Sequence, residues 1–213
     1  MKALVTGGGG FLGSNLVMAL RARGDEVRVL ARGDYPALRA LGAETVRGDI
    51  TDPVATARAC AGIDVVFHTA AKAGLWGDPR EYEEINVGGT QHVIDGCKQA
   101  GVPVLVHTSS PSVVHSGGDI EGADESIPYA PRYTAHYPRT KALSEQLALA
   151  ASAEALKVVA LRPQYIWGPG DRHILPRLVA RAKAGRARRI GARDAKCDTI
   201  YIDNCVHAHL LAA

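Results

Sequence analysis

The sequence predicts an α/β fold built on a doubly wound parallel sheet. Short apolar runs alternate with helical patterns, a glycine cluster joins the first run to the first helix, and polar residues follow several of the runs. Nearly continuous apolar strands separated by helices are typical of a parallel sheet covered on both faces. Such a Rossmann-like sheet binds its ligands beyond the carboxyl ends of the strands, so the residues there are the ones to examine.

Six apolar runs predict the strands in order. They lie at 3–5, 26–31, just before 47–50, and at 64–69, 102–108 and 157–162. Patterns with helical spacing lie between them, most clearly at 11–23, 90–100 and 137–154. Gly24 follows the first of these helices in the position of a C-terminal cap.

Composition excludes several classes of protein. A net charge of +3 and an aromatic content of 5% are too low for a nucleic-acid-binding surface, so no nucleic-acid partner is expected. The four cysteines form no C-x-x-C pair and no zinc spacing, which predicts reduced thiols in a cytoplasmic protein without a metal site. The chain opens directly into a strand and has no apolar run of membrane-spanning length, so neither a signal peptide nor a transmembrane segment is expected.

The glycine cluster after the first strand has the spacing G-x-x-G-x-x-G, formed by Gly7, Gly10 and Gly13. Glycine permits the tight turn and lets the backbone approach a pyrophosphate, and the helix N-terminus at Phe11 and Leu12 offers free N–H groups. The alternative is a glycine-rich turn without a ligand. The position of the cluster between a strand and a helix favours a dinucleotide cofactor.

Residues at the next strand ends bear on which dinucleotide is bound. Arg32 stands where an acidic residue would bind the ribose hydroxyls of NAD, and its guanidinium suits a 2′-phosphate. NADP(H) is therefore favoured and NAD(H) remains possible. Asp34 lies too far along the chain to take the place of the acidic residue. The alternative is that Arg32 is a solvated loop residue. Asp49 and Ile50 either contact the adenine or form an ordinary turn. Three small residues after the fourth strand would let the backbone pass close to the cofactor: Thr69, Ala70 and Ala71.

A catalytic pair is predicted at the start of the helix at 137–154. Tyr137 and Lys141 are four residues apart and share one helical face, and the nearby ammonium is expected to lower the pKa of the phenol. Tyr137 would then act as the general acid toward a carbonyl oxygen that receives hydride. Ser110, after the fifth strand, would hydrogen-bond that oxygen. The pair alone would fit an ordinary amphipathic helix; its combination with the glycine turn and Ser110 favours catalysis.

These motifs together resemble the extended short-chain dehydrogenase/reductases. The segments 161–171 and 199–204 are similar to the 3β-hydroxysteroid dehydrogenase branch of that family. The resemblance implies that Asn86 is the fourth catalytic residue and that Pro163 and Ile166 lie beside the nicotinamide. It also implies a homodimer formed through the helices at 90–100 and 137–153.

Two further segments, 32–39 and 70–77, resemble bacterial reductases of 2-alkyl-3-oxoalkanoates in long-chain olefin biosynthesis. That resemblance implies NADPH-dependent reduction of a lipid-like β-keto acid to the β-hydroxy acid, with other enzymes of the pathway as possible partners. Three alternatives stay open: a dehydrogenase of 3β-hydroxysteroids or other sterols, a catalytically silent dinucleotide-binding sensor or scaffold, and a sugar-nucleotide epimerase or dehydratase. The lack of an acid at position 31 or 32 speaks against the last.

The chain is expected to divide into a dinucleotide-binding domain, 1–165, and a small, incomplete substrate-binding part with a return segment, 166–213. The resemblance implies a further strand and a helical cap that would complete the pocket. A basic stretch at 172–193 contains no acid before Arg193, and either attracts an acidic lipid or partner, or is a solvated helix face. His207 and His209 lie in an apolar helical segment and are interpreted as structural.

Overall fold

The structure is a computed structural model that describes residues 1–74, 76–172, 175–188 and 196–213. The strands are β1 (Lys2–Thr6), β2 (Glu26–Ala31), β3 (Glu44–Arg47), β4 (Val65–His68), β5 (Val104–Thr108), β6 (Lys157–Leu161), β7 (Ile166–Trp167) and β8 (Ile200–Tyr201). The α-helices are α1 (Phe11–Ala22), α2 (Pro36–Ala40), α3 (Pro53–Cys60), α4 (Pro79–Tyr82), α5 (Gly89–Ala100), α6 (His136–Ala150), α7 (Leu175–Lys183) and α8 (Ile202–Leu211). A π-helical turn (Glu83–Gly88) precedes α5, and a 3₁₀ turn (Pro111–Val113) follows β5.

The main sheet has six parallel strands in the order β3-β2-β1-β4-β5-β6, which confirms the predicted doubly wound architecture. The order reverses between β1 and β4, so their carboxyl ends, at Thr6 and His68, flank the crevice where such folds bind ligands. His68 is paired in register with His107 on β5. The functional residues are therefore expected along one edge of the sheet.

Two apolar layers cover the two faces of the sheet. On one face α1, α2 and α8 pack over alternate residues such as Val5, Val29 and Phe67. On the other face α3, α5 and α6 pack over the intervening residues, such as Leu4 and Leu105. Because successive side chains of a strand point to opposite faces, strands buried on both sides need the unbroken apolar runs seen in the sequence.

The structure modifies two helix boundaries that the sequence predicted. The helix α6 ends at Ala150, four residues before the expected 154, because the next residues turn back: the Ala153 N–H donates to the Leu156 carbonyl. The helix α1 ends with Arg23 as its cap, and Gly24 follows in the left-handed region at φ +86°. Glycine is favoured there because it lacks a Cβ.

Past β6, the chain forms the two-stranded β7–β8 sheet and then returns to the main body. The helix α8 packs on α1, and its residues Ile202, Cys205 and Val206 belong to the same apolar layer as β1. His209 is fully buried in α8 and bonds to the Thr108 hydroxyl (2.9 Å) and the Cys205 carbonyl (2.7 Å), which is a structural arrangement.

The helix α7 carries much of the basic stretch and buries none of its residues. Arg189 and Arg193 of that stretch lie outside the described residues. Within the described ranges, no helix is long and apolar enough to cross a membrane.

Candidate active site

The glycine turn between β1 and α1 has the backbone that a bound pyrophosphate needs. Gly7 has φ +69°, and a Cβ there would lie 2.9 Å from the Ala70 backbone. A Cβ at Gly13 would lie 2.3 Å from the Gly7 carbonyl oxygen, so the first turn of α1 closes tightly onto the loop. No side chain caps α1 at Gly10, which leaves the first-turn N–H groups available to an anion. These features fit a dinucleotide cofactor.

The end of β2 presents a cation rather than an acid. The Arg32 side chain is 77% exposed, and its Nε lies 3.8 Å from a carboxylate oxygen of Asp49. Asp34 forms an ion pair with Arg39, whose guanidinium lowers the pKa of that carboxyl. Asp34 is therefore engaged by α2, and the guanidinium of Arg32 faces solvent beside the glycine turn.

The two residues predicted to contact adenine also have internal roles. One carboxylate oxygen of Asp49 accepts a hydrogen bond from the Thr51 N–H (3.1 Å), as a turn-forming aspartate does. Ile50 is 5% exposed and packs against Gly89 at the start of α5, where a Cβ would lie 2.5 Å from the Ile50 Cδ1. Ile50 therefore helps to bring α5 close to the sheet.

The small residues after β4 lie against the glycine turn. The Thr69 hydroxyl donates to the Thr6 carbonyl (2.8 Å), and the Ala70 N–H donates to the Thr6 hydroxyl (3.3 Å). Ala70 is the residue that a Cβ at Gly7 would strike. Ala71 follows on the same loop, so this loop and the turn form one edge of the crevice.

Asn86 lies on the π-helical turn and is 2% exposed. Its amide accepts from the Lys72 N–H (2.7 Å) and donates to the Lys72 carbonyl (3.1 Å) and to the Thr140 hydroxyl (3.0 Å). Asn86 thus ties the loop after β4 to the first turn of α6. π-helical turns are rare in proteins overall, and those that do occur often lie at functional sites.

A buried chain of hydrogen bonds continues from Asn86 back to β1. The Thr90 hydroxyl donates to the Asn86 carbonyl (2.7 Å) and so accepts from His68 Nε2 (3.0 Å). His68 Nδ1 must then be the acceptor for the Thr6 hydroxyl (2.7 Å). Burial, and to a smaller extent the Lys141 charge, lowers the pKa of His68 to about 3. This neutral network fixes the distance between the glycine turn and α6.

Tyr137 lies at the start of α6, and Ser110 lies just after β5. Burial raises the pKa of Tyr137 above its usual value, and the Ser110 hydroxyl offsets part of that effect. The sequence predicted the opposite direction, from the charge of Lys141; here desolvation of the phenol dominates.

Lys141 is 3% exposed, and its ammonium points back toward β5. Its Nζ donates to the Thr108 carbonyl (2.7 Å) and lies 3.4 Å from His107 Nε2. Burial lowers the pKa of Lys141 to about 8, and the negative charge of Glu145 opposes that effect. The ammonium is thus held behind Tyr137, between α6 and the sheet.

Glu145, one turn further along α6, anchors the helix to the end of β6. Its carboxylate binds the Arg162 guanidinium through contacts of 2.6 to 3.1 Å and accepts from the Tyr129 hydroxyl (2.8 Å). The guanidinium also lies over the Tyr129 ring, 5.5 Å from its centroid. The Glu145 side chain is 1% exposed, so this is a buried ion pair.

Pro163 and Ile166 follow β6, at the carboxyl end of the sheet. Ile166 begins β7 and packs against the apolar layer of α1 and α8. Between them Tyr165 has φ +36°, the one non-glycine residue in the left-handed region among those described. Such strain is often found at functional sites.

Several buried polar residues of the site were not predicted from the sequence, among them His68, His107, Thr140 and Glu145. The two histidines carried a signal, since each is a polar residue within an apolar strand. Thr140 and Glu145 lie on α6, where polar residues are ordinary and only packing shows which face is buried.

The comparisons with known proteins identify the family of the chain. Residues 4–213 match the model of the 3-beta hydroxysteroid dehydrogenase/isomerase family. The chain belongs to this family. This confirms the predicted resemblance to the extended short-chain dehydrogenase/reductases.

Two curated relatives share a name. The 2-alkyl-3-oxoalkanoate reductases of Stenotrophomonas maltophilia and Shewanella oneidensis are 50% and 46% identical to the chain over 100% and 99% of its length. A 3-beta-hydroxysteroid dehydrogenase of Mycolicibacterium neoaurum is 39% identical over the whole chain. The chain spans 65%, 56% and 60% of these relatives' own lengths. All three relatives carry the names of oxidoreductases.

Solved structures with the same fold carry NAD. MoeE5, in complex with UDP-glucose and NAD, is 33% identical, with a TM-score of 0.83 over 100% of this chain and 72% of its own. The UDP-glucose 4-epimerase of Thermus thermophilus, in complex with NAD, is 32% identical, with a TM-score of 0.83 over 100% of this chain and 74% of its own. In both of these neighbours the bound nicotinamide dinucleotide is NAD.

Proposed function

We propose that the protein reduces a 2-alkyl-3-oxoalkanoate, a lipid-like β-keto acid, to the 2-alkyl-3-hydroxyalkanoate with NADPH. The observation that carries this proposal is the 50% identity over the whole chain to a relative with that reductase name. A reduction needs a proton donor at the carbonyl oxygen, and the Tyr137 hydroxyl is the proposed donor.

The bound nicotinamide would supply the hydride. In the proposed reaction Tyr137 gives its proton to the substrate oxygen, and Ser110 hydrogen-bonds the same oxygen and so orients it. Lys141 stabilises the negative charge that the phenol acquires on losing its proton. Asn86, clamped to the loop after β4 and to Thr140, maintains the position of α6. Pro163 and Ile166 are proposed to lie beside the nicotinamide.

We propose that the 2′-phosphate of NADPH binds at Arg32. The guanidinium is exposed at the end of β2, and the nearest acid of the following loop, Asp34, is already paired with Arg39. Residues Gly7 to Gly13 bind the pyrophosphate in this proposal, and Asp49 would lie at the adenosine end. Binding of adenosine 2′,5′-bisphosphate and of 5′-AMP to the wild type and to Arg32→Ala, by calorimetry, tests the assignment. Equal affinities in the wild type would contradict a preference for NADPH.

A cytoplasmic homodimer completes the proposal. All four cysteines are free thiols, which suits a reducing compartment. The outer surface of α6 exposes Leu143 and Leu149, which a second copy would cover. Sedimentation at micromolar concentration tests the dimer, and a monomer there would contradict it.

The decisive experiment is reduction of a synthetic 2-alkyl-3-oxoalkanoate, followed by the loss of NADPH absorbance. Tyr137→Phe removes the hydroxyl that donates the proton and should lower kcat by about a hundredfold or more, with Tyr133→Phe as the matched control outside the site. Unchanged turnover by Tyr137→Phe would overturn the mechanism.

A second candidate is oxidation of a 3β-hydroxysteroid, which the 39% identity to the Mycolicibacterium neoaurum enzyme favours. Assay of both substrates with NADPH, NADH and their oxidised forms separates the two. Faster turnover of the steroid with NAD⁺ would favour this candidate over the reductase.

A further inference from the structure

His107 stands in the buried part of β5 beside the proposed catalytic lysine. It is fully buried, and its neighbours on the strand, Leu105 and Val106, are fully buried apolar residues. The adjacent strand places His68 beside it, with ring centroids 5.3 Å apart. From the helix side, Lys141 and Ser144 both reach the same ring nitrogen, Nε2, at 3.4 Å.

The hydrogen-bond partners determine which nitrogen of His107 carries the proton. The Lys141 ammonium has only donors, so an imidazole nitrogen facing it must present a lone pair. The Ser144 hydroxyl can also donate to that nitrogen or to the Lys141 carbonyl, 3.0 Å away. The proton of His107 therefore lies on Nδ1, which is buried and has no hydrogen-bond partner among the described residues.

This arrangement costs stability, because a buried N–H without an acceptor loses its hydration and gains nothing in return. An apolar residue would avoid the cost at a strand position that follows the apolar Leu105 and Val106. In compensation, His107 Nε2 contacts the Lys141 ammonium and the Ser144 hydroxyl. Both the desolvation and the Lys141 charge keep His107 neutral by lowering its pKa.

Few groups around Lys141 favour its charged form. On β5 these are the Thr108 carbonyl and His107, and on α6 it is Glu145. The Ser144 hydroxyl contacts His107 Nε2 and the Lys141 carbonyl, and Tyr137 lies one turn before Lys141 on the same helix. On β4, His68 is neutral and points its nitrogens elsewhere. The charge of Glu145 is shared with Arg162, so it is only partly available to the lysine.

We propose that His107 is a positioning residue for Lys141: its neutral imidazole accepts a hydrogen bond from the ammonium and keeps it charged and fixed between α6 and β5. The inference rests on the proposed catalytic role of Lys141. The inference adds the requirement that the residue at this position of β5 provide a hydrogen-bond acceptor for the ammonium. Since the pKa of Lys141 is about 8, a further decrease of one unit would discharge about half of the lysine at neutral pH.

The test measures the pKa of Lys141 directly and then the pH profile of the reaction. Lysine side-chain NMR, with the Lys141 signal assigned from Lys141→Arg, gives the pKa in the wild type, His107→Leu, His107→Gln and His107→Asn. Leu and Asn place no acceptor at the position of Nε2, whereas Gln reaches it. Val106→Ala, a fully buried change on the same strand, is the matched control for loss of packing.

We expect His107→Leu and His107→Asn to lower the pKa of Lys141 by about one unit, and Gln to restore it. The alkaline limb of kcat/KM for reduction should move to lower pH by the same amount. Should Leu not fold, the comparison of Gln with Asn decides. An unchanged pKa in Leu or Asn, or an equal shift in Val106→Ala, would overturn the inference. If the wild type does not reduce the substrate, the proposed function fails, and if Lys141→Met reduces it as fast as the wild type, the catalytic role of Lys141 fails. In either case the NMR result still decides whether His107 sets the pKa of Lys141.

Discussion

Stability in mild acid depends on His68, and the size of the effect follows from its burial. The imidazole is 2% exposed, with both nitrogens occupied by Thr6 and Thr90. Its pKa is about 3 in the folded protein, against about 6.5 in an unfolded chain. The unfolded chain binds a proton below pH 6.5, whereas the folded protein does not until about pH 3. Stability is therefore full above pH 6.5 and decreases as the pH falls from there toward 3.

At pH 5 the difference amounts to about 2 kcal/mol, because each pH unit below 6.5 costs about 1.4 kcal/mol. For a chain of this size that corresponds to a decrease in Tm of about 4 to 8 °C. His107 acts in the same direction, since burial also lowers its pKa. The wild type is therefore expected to lose more stability at pH 5 than His68 alone accounts for.

The assay is urea unfolding at pH 7 and pH 5 for the wild type and for His68→Gln, which keeps polar atoms near Thr6 and Thr90 and does not titrate. The wild type should lose about 2 kcal/mol more than the variant between the two pH values. His207→Gln, on the exposed side of α8, is the control and should behave as the wild type does. A His68→Gln variant that loses as much stability as the wild type would refute the reasoning.

Three other perturbations have defined outcomes. Gly9→Ala would place a Cβ 2.0 Å from the Tyr35 ring. Thermal unfolding should therefore show a loss of stability of about 1 kcal/mol when the substitution is made in the wild type, and none when it is made in a Tyr35→Ala background. Equal losses in both backgrounds would contradict the clash. Glu145→Gln leaves a half-buried Arg162 without its counter-charge. The free energy of unfolding, measured with urea at pH 7, should fall by about 3 kcal/mol, and a fall below about 1 kcal/mol would argue against a buried pair. Asn86→Leu removes the three hydrogen bonds of the buried Asn86 amide and should increase amide hydrogen exchange in the first turn of α6. Unchanged protection of that turn would contradict this expectation.

The fold class and the strand ends could be predicted from the sequence because their signals are local. An apolar run of five or six residues between glycines or polar turns is long enough to specify a buried strand, and β2 was predicted with its observed bounds. The spacing of Gly7, Gly10 and Gly13 carries its own geometric meaning, since each lies where a Cβ would strike backbone. The adjacent Gly9 does not belong to that spacing. A Cβ at Gly9 would strike the ring of Tyr35, which lies 26 positions later in the chain.

The direction of the Tyr137 pKa could not be predicted from the helical spacing. Four residues of separation place Tyr137 and Lys141 on one face, and the sequence argument stopped at the attraction between a phenolate and an ammonium. In the fold, desolvation raises the pKa of the phenol, and the ammonium is directed to the Thr108 carbonyl. Burial is a property of the packed helix and sheet, so no local pattern reports it.

The sequence by itself determined the alternation of strands and helices, the phosphate-binding turn and the identity of the chemical groups at the strand ends. Those features depend on residues close together in the chain, where backbone geometry and apolar periodicity are decided. The tertiary structure alone decided the environment of those groups: the line from Thr6 through His68 to Asn86, the anchoring of Glu145 by Arg162, and the acceptor that His107 offers to Lys141. Hydrogen bonds and desolvation arise where distant segments pack together, and they set the charge that each group carries.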